Sequence, residues 1–249
     1  SGYLRPRSVN GAGDYLEFNL LPKISGLYSE ESLVNTDTKY REPEVDAIFI
    51  SHAHADHVGH IRFIDQDIPI HIGETAKTII EAMGRTTPSW NMGKHPFRTF
   101  RTGDQINVGP FQIIPIHVDH SVPGAYGFLI HTSNGTLAYT ADLRLHGASS
   151  NLTEDFVEGA VKEKPDVMLC EGTRIIDVSE QFSENDVLNR SSEIVNKTKE
   201  IVATCFYGRD IDRIKTFYNV AKENERIFVV SMKVAHLLDS LSSDRRLKL

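Results

Sequence analysis

The chain has 249 residues, of which 40% are hydrophobic and 24% charged, a composition typical of a globular protein with one large domain or slightly more. No apolar run reaches the roughly 18 residues of a membrane-spanning helix, so we expect no membrane association. The formal net charge of −7 argues against a basic nucleic-acid surface, although bound cations would reverse the charge locally. Cys170 and Cys205 lie in apolar runs, which predicts buried, reduced thiols in the cytoplasm.

The first 90 residues are predicted to mix loops with short strands and helices. One strand is expected at 15–21, and the nearly continuous apolar run at 45–51 predicts a fully buried strand. A helix is expected to open near 58–64, followed by a strand at 69–72 and a helix at 74–83 that ends at Gly84.

A β-rich block follows at residues 97–140. Strands at 105–108 and 111–118 flank the turn Gly109-Pro110. Strands at 126–132 and 136–140 flank Ser133-Asn134-Gly135, in which Asn-Gly is a strong hairpin signal. A helix near 153–162 and a strand at 166–170 complete a first domain, which we place at residues 1–178.

Strands and helices alternate in the last part of the chain. The predicted helices are 184–199, 210–223 and 233–241, and the predicted strands are 200–206 and 226–231. This alternation favours a parallel sheet and a second α/β domain at residues 179–249.

The segment 52–57, with the pattern H-x-H-x-D-H, directly follows the predicted buried strand. Neutral imidazole nitrogens and carboxylate oxygens are the usual ligands of zinc and similar divalent metals. A continued strand would place His52, His54 and Asp56 on one face and His57 on the other, which suits two adjacent metals. The pattern therefore predicts a metal centre, and the alternative is a solvated polar loop.

Other candidate site residues fall at the ends of predicted strands. Asp142 is placed to bridge two metals, and His120, with His117 as its competitor, to supply a third imidazole. Glu171 could accept an N–H from a ligand imidazole or cap a helix, and Arg174 could bind phosphate or form a surface ion pair.

These motifs resemble those of the metallo-β-lactamase superfamily over roughly residues 1–175, which implies an αββα sandwich. Residues 119–125 resemble the histidine motif of the β-CASP nucleases, particularly the ribonuclease J group. Residues 170–174 resemble the acidic motif that opens the β-CASP region, and residues 201–241 resemble its start. The implied fold class is an α/β metallo-β-lactamase sandwich followed by part of a parallel α/β β-CASP-like domain.

The resemblance also implies roles for individual residues. The metal ligands would be His52, His54 and His120 for one ion, and Asp56 and His57 for a second ion, with Asp142 bridging. Asp56, Asp142 and Glu171 would be the catalytic acids, and we assign Ser121 and Arg174 to the substrate. Two zinc ions are expected, and manganese is compatible with so many carboxylates.

Two features depart from the family pattern. The opening β-hairpin is short or missing, and no counterpart of the family's late metal-binding histidine follows Leu241. We therefore expect the chain to be a fragment or part of a longer protein, with a weakly bound second metal.

The predicted function is hydrolysis of RNA phosphodiester bonds by a water activated by two zinc ions, with single-stranded RNA entering between the domains. One alternative is a hydrolase of a small ester, thioester or phosphodiester on the same fold. A second alternative is a non-catalytic subunit that binds RNA or a partner nuclease. The sequence leaves open a homodimer or homo-oligomer, and the direction of cleavage.

Overall fold

The computed structural model describes residues 11–34, 36–176, 182–244 and 247. Two β-sheets lie face to face in this part of the chain. The first sheet has three parallel strands in the order β1 (Ile48–Ile50), β2 (Ile70–Gly73) and β3 (Phe97–Phe100). The second has five strands in sequence order, namely β4 (Ile106–Val108), β5 (Phe111–His117), β6 (Tyr126–Thr132), β7 (Gly135–Tyr139) and β8 (Val167–Leu169). Its strands are antiparallel except for the parallel pair β7–β8.

Helices cover both sheets and continue beyond them. The α-helices of the described residues are α1 (Gly13–Glu17), α2 (Ala55–Val58), α3 (Glu74–Thr86), α4 (Ser150–Glu163), α5 (Glu184–Lys197), α6 (Ile211–Glu223) and α7 (Met232–Ser242). Short 3₁₀ helices lie at Glu31–Leu33, Ile61–Phe63 and Pro88–Trp90. None of the described helices combines the length and apolar character needed to cross a bilayer.

Alternating side chains along the strands produce four layers. Phe49 of the first sheet meets Phe128 of the second between the sheets, with ring centroids 5.9 Å apart. The opposite face of the first sheet packs on α3. On that face, Ile72 of β2 lies in the same apolar cluster as Ile79 of α3. On the second sheet, Leu129 packs outward in a cluster with Phe156 of α4. The predicted αββα sandwich is confirmed.

The predicted elements differ from the structure near the N-terminus. The strand predicted at 15–21 is wrong, because Gly13–Glu17 is helical and the backbone N–H groups of Leu20 and Leu21 both turn back to the carbonyl of Tyr15. The buried strand predicted at 45–51 shortens to Ile48–Ile50, of which only Ile50 is fully buried. Its strand partner β2 begins at Ile70, which pairs with Ile48, so the residues before Ile48 have no partner strand among the described residues.

The residues after 182 contain the predicted helices without the predicted sheet. Helices α5, α6 and α7 are confirmed, but residues 200–206 and 226–231 form no strand among the described residues. In these segments Ile201 and Ile227 are largely exposed, because no neighbouring strand of the described residues packs against them. The β-CASP-like part is therefore supported only in its helices. The domain boundary predicted after residue 178 lies outside the described residues and stays a prediction.

The prediction of buried thiols is wrong. Cys170 and Cys205 are both free and exposed. Cys170 follows β8, which is an edge strand of its sheet, and Cys205 lies in the segment 200–206 that pairs with no strand in the described part of the chain.

A buried ion pair joins α5 to α6 and predicts how stability depends on pH. The carboxylate of Glu184 accepts hydrogen bonds from Arg213 Nε at 2.8 Å and Nη2 at 3.1 Å, and from Thr216 Oγ1 at 2.7 Å. Burial alone would raise the pKa of Glu184, but these hydrogen bonds outweigh burial and lower the pKa. The stabilisation is therefore present above the unfolded pKa of about 4.3 and is lost as the pH falls through the lower folded value.

We expect Glu184→Gln to reduce the free energy of unfolding at neutral pH by about 1–3 kcal/mol, because a hydrogen-bonded charge is removed. Its urea midpoint should also decline less than that of the unmodified protein as the pH is lowered from neutral into the acid range. Glu193→Gln, at an exposed position of α5, is the matched control, and its effect should stay below about 0.5 kcal/mol. Equal acid sensitivity in the Glu184 variant and the parent would contradict the assignment.

Candidate metal centre

Three loops at one edge of the sandwich carry the candidate ligands. The first loop joins β1 to α2, the second follows β5, and the third follows β7. Strands β5 and β7 both pair antiparallel with β6, so their C-terminal ends lie at the same edge of the sheet. The backbone N–H of Tyr126 donates to the carbonyl of Ser51 at 3.0 Å and joins the two sheets at this edge. The topology therefore brings together residues that are far apart in sequence.

Three imidazoles and one carboxylate converge where these loops meet. His54 Nδ1 lies 3.1 Å from His52 Nε2 and 3.0 Å from His120 Nε2. Asp142 Oδ2 lies 3.7 Å from His52 Nε2 and 3.8 Å from His120 Nε2. One donor atom from each of these four residues lies within 4.8 Å of the others.

The nitrogens cannot satisfy one another by hydrogen bonding. A neutral imidazole nitrogen either carries one proton or offers one lone pair, yet His54 Nδ1 faces two other ring nitrogens. Burial lowers the pKa of His52 to about 2, that of His120 to about 3 and that of His54 to about 4, so all three are neutral at pH 7. Converging neutral imidazoles beside a carboxylate suit a divalent cation, and this donor set fits one.

A second pair of donors shares Asp142 with the first group. His57 Nε2 lies 3.4 Å from Asp142 Oδ2 and 3.6 Å from Asp56 Oδ2. The pKa of Asp142 is raised, first by burial and also by the negative charges of Glu171 and Asp56, while His57 lowers it. Negative charge is thus concentrated between the two donor groups, where cations would relieve it.

Neighbouring groups hold the ligands in place. Ser51 Oγ lies 3.1 Å from His52 Nδ1, and this contact orients the ring and is compatible with the tautomer in which Nε2 offers its lone pair to the centre. Arg144 Nε donates to Asp119 Oδ1 at 3.1 Å, which ties the loop of Asp142 to the loop of His120. Arg144 also pairs with Asp212, so α6 is anchored to both loops.

The backbone before Asp142 adopts an uncommon conformation. Ala141 has φ of +50°, in the left-handed region, which costs a non-glycine residue about 1–2 kcal/mol. The hydroxyl of Thr140 donates to the Ala141 carbonyl at 2.8 Å and accepts the N–H of Glu171 at 3.2 Å. Strain of this kind is concentrated at functional sites, where surrounding contacts hold it.

The structure distinguishes between the two candidate histidines after β5. His117 points away from the centre, because Nδ1 lies 2.9 Å from Thr102 Oγ1 and Nε2 lies 2.9 Å from Asp155 Oδ2. His120 lies among the other imidazoles. The third imidazole is therefore that of His120.

The remaining predicted residues differ in their distance from the centre. Ser121 Oγ lies 3.3 Å from His54 Nε2, so this side chain is part of the site. Glu171 Oε2 instead accepts the backbone N–H of Thr173 at 3.0 Å, and no described imidazole donates to it. Arg174 is exposed in the same loop. The negative charge of Glu171 raises the pKa of Asp142, but the predicted contact between Glu171 and an imidazole is not found among the described residues.

Tyr207 and Arg209, from the last third of the chain, lie beside the centre and were not among the predicted site residues. The ring of Tyr207 packs edge-on against His54, with centroids 5.6 Å apart, and the charge of Arg209 acts on both His54 and Asp56. No local pattern announces these contacts, since they depend on how α6 docks against the sandwich. Ser51 was not predicted as a site residue either, although it directly precedes His52 at the end of β1.

An αββα sandwich with a histidine-rich donor set at one sheet edge defines a class of metal-binding hydrolase folds. The Beta-lactamase superfamily domain matches residues 28–204, more than half of the chain. The chain therefore belongs to the metallo-β-lactamase superfamily.

Curated relatives of the chain include several ribonucleases J. Ribonuclease J of Sinorhizobium meliloti is 26% identical over 181 residues, covering 71% of this chain and 32% of the relative. Ribonuclease J of Mycoplasma genitalium is 25% identical over 209 residues, covering 82% of this chain and 36% of the relative. The chain thus spans about a third of the length of these relatives.

A solved structure shares the fold over most of the chain. The crystal structure of a protein of unknown function from Enterococcus faecalis V583 matches with a TM-score of 0.76 and 23% identity. The match covers 92% of this chain and 56% of that one. The family, the relatives and the donor set together support a metal-dependent hydrolase.

Proposed function

We propose that this chain carries the dinuclear metal centre of a ribonuclease that cleaves phosphodiester bonds of single-stranded RNA. The observation that carries the proposal is the shared position of Asp142, between three converged imidazoles and the pair formed by Asp56 and His57. The ribonuclease J relatives point to RNA among the substrates that such a centre can hydrolyse.

The proposed ligands divide into two sets that meet at one carboxylate. His52, His54 and His120 would hold one ion, Asp56 and His57 would hold the second, and Asp142 would bridge them. Imidazole-rich sites favour zinc, and the two carboxylates keep manganese compatible. When bound, such ions lower the pKa of a coordinated water from about 15.7 to about 7 and stabilise negative charge on a phosphoryl group.

The side chains of this chain would supply orientation and proton acceptance. Asp56 is mostly exposed and lies 3.6 Å from His57, which suits a carboxylate that orients the attacking water. Asp142 would accept a hydrogen bond from the same water. The hydroxyl of Ser121, 3.3 Å from His54, would contact the substrate, and Glu171 would tune the charge at Asp142. Arg174, on the exposed part of that loop, would contact the RNA backbone.

Several parts of the proposal extend beyond the site. We propose that residues 1–178 form the catalytic domain and residues 179–249 the start of a β-CASP-like domain, with RNA entering between them. A cytoplasmic location and a homo-oligomeric state belong to the same proposal. The likeness to the ribonucleases J motivates these parts of the proposal, together with the sequence pattern for the domain bounds.

The test combines metal analysis with a cleavage assay. We expect the purified chain, reconstituted with zinc or manganese, to cleave an end-labelled single-stranded RNA. Chelation should abolish cleavage, and readdition of the metal should restore it. Metal binding with hydrolysis of a thioester or carboxylic ester, and no cleavage of RNA, would replace the proposal with a small-molecule hydrolase. A protein that binds no metal after reconstitution would contradict both.

A further inference from the structure

An arginine contacts the faces of two aromatic rings beside the candidate metal centre. The Cζ atom of Arg209 lies 4.2 Å from the ring centroid of Trp90 and 4.3 Å from that of Tyr207. Trp90 is buried in the 3₁₀ helix after α3, which fixes one side of the stack. Tyr207 in turn packs against the ring of His54. The guanidinium is therefore positioned by the same stack that borders the proposed ligands.

Among the described residues, no carboxylate pairs with this partly buried guanidinium, in contrast to two other partly buried arginines nearby. Arg144 pairs with Asp119 and Asp212, and Arg213 pairs with Glu184. For Arg209, no carboxylate oxygen of the described residues lies within 4 Å, and the buried Nε has no hydrogen-bond partner among them. Burial lowers the pKa of Arg209 to about 10, so the group keeps its charge at neutral pH.

The stack also determines which directions remain available for hydrogen bonding. The two rings contact the guanidinium carbon and accept none of its in-plane hydrogen bonds, so its N–H groups, which project from the edge of the plane, keep their donor capacity. That edge is the part of arginine that matches two phosphate oxygens. A strongly charged donor with an unsatisfied N–H is costly to bury, and an anion would relieve the cost.

We propose that Arg209 binds a backbone phosphate of the substrate next to the metal centre. This inference deepens the proposed function, because the phosphate belongs to the RNA strand to be cleaved. Tyr207 is 47% exposed, so its remaining surface can stack on the base beside that phosphate. Arg209 thereby links the residues after 182 to substrate binding at the sandwich.

Binding of a short oligouridylate to the metal-free protein, measured by fluorescence anisotropy, tests the role of Arg209. The comparison uses Arg209→Gln, Arg209→Lys and the control Arg98→Gln, which removes the same charge from an exposed position on β3. Arg209→Gln should weaken binding about 10-fold, and the slope of log K against log salt between about 50 and 200 mM should fall by about 0.7, the value of one single-strand phosphate contact. Arg209→Lys should keep the slope and lose affinity, because a point charge replaces the fork.

Melting temperature and metal uptake on reconstitution show whether each variant folds, and Arg209→Lys decides the question if Arg209→Gln does not fold. A glutamine variant that binds with the affinity and slope of the parent, or a lysine variant with full affinity, would overturn the inference. Calorimetry with inorganic phosphate separates the two proposals. Arg209-dependent phosphate binding by a protein that does not bind the oligouridylate would support the anion site and contradict the RNA substrate. Binding of neither probe by the parent would overturn both.

Discussion

Replacing His54 with glutamine should remove most of the bound metal and lower hydrolysis by at least about 10³-fold. Loss of a group beside a metal ligand already costs about 10–100-fold, and His54 is expected to be a ligand itself. Its Nδ1 lies within 3.1 Å of ring nitrogens from both His52 and His120, at the middle of the donor set. Glutamine has a similar reach but replaces the imidazole lone pair with a weakly coordinating amide.

The measurement is metal content by mass spectrometry together with cleavage of single-stranded RNA at saturating substrate. His117→Gln is the matched control, because His117 precedes His120 by three positions and forms its hydrogen bonds with Thr102 and Asp155 instead. This control should keep full metal content and activity. A His54 variant that retains both would show that the converged imidazoles have another purpose.

The parts of the fold that depend on local turn chemistry were predictable from sequence. The segment 133–135 marked the position of the hairpin between β6 and β7, although its two loop residues are Ser133 and Asn134 and Gly135 already belongs to β7. Gly109-Pro110 specified the turn between β4 and β5, where Gly109 has φ of +53°. The segments at 200–206 and 226–231 show the limit of this reasoning. Their apolar composition suits a strand, but a strand exists only where a neighbour supplies hydrogen bonds, and no described segment does so. Composition cannot report whether that neighbour is present.

The candidate site was predictable where its residues are clustered or lie at strand ends. The spacing of the segment 52–57 identified His52, His54, Asp56 and His57 as candidate ligands. Asp142 was identified by its position shortly after β7, which ends at Tyr139. The choice of His120 over His117 required the structure, because it depends on which side chain turns towards the centre after β5 ends.

Residues that act by packing across the chain escaped prediction. Arg209 meets Trp90 only because α6 and α7 dock on α3, and nothing near either residue in sequence encodes that contact. For Glu171, in contrast, the sequence suggested a contact that differs from the one in the structure. Its position after β8 suggested a hydrogen bond to a ligand imidazole, whereas its carboxylate caps its own loop through Thr173.

Asp142→Asn should lower hydrolysis by about 10³-fold and reduce the bound metal from two ions towards one. Asparagine preserves the size and shape of the side chain, so the loops should keep their positions. It removes the negative charge that lies within 3.4–3.8 Å of His57, His52 and His120. A neutral amide bridges two cations poorly, since their mutual repulsion is no longer offset at close range.

The control for this charge is Asp155→Asn. Asp155 lies in α4 and pairs with His117, so this variant removes a carboxylate next to a histidine outside the centre. Titration of the metal-free proteins with zinc should give two ions in the control and a weakened second ion in Asp142→Asn. If Asp142→Asn bound two ions normally but lost activity, the carboxylate would not be needed to hold the second ion. Asp142 would then be assigned to proton transfer. Two ions with full activity would remove it from the centre, and a mononuclear mechanism would then be the better account of the three imidazoles.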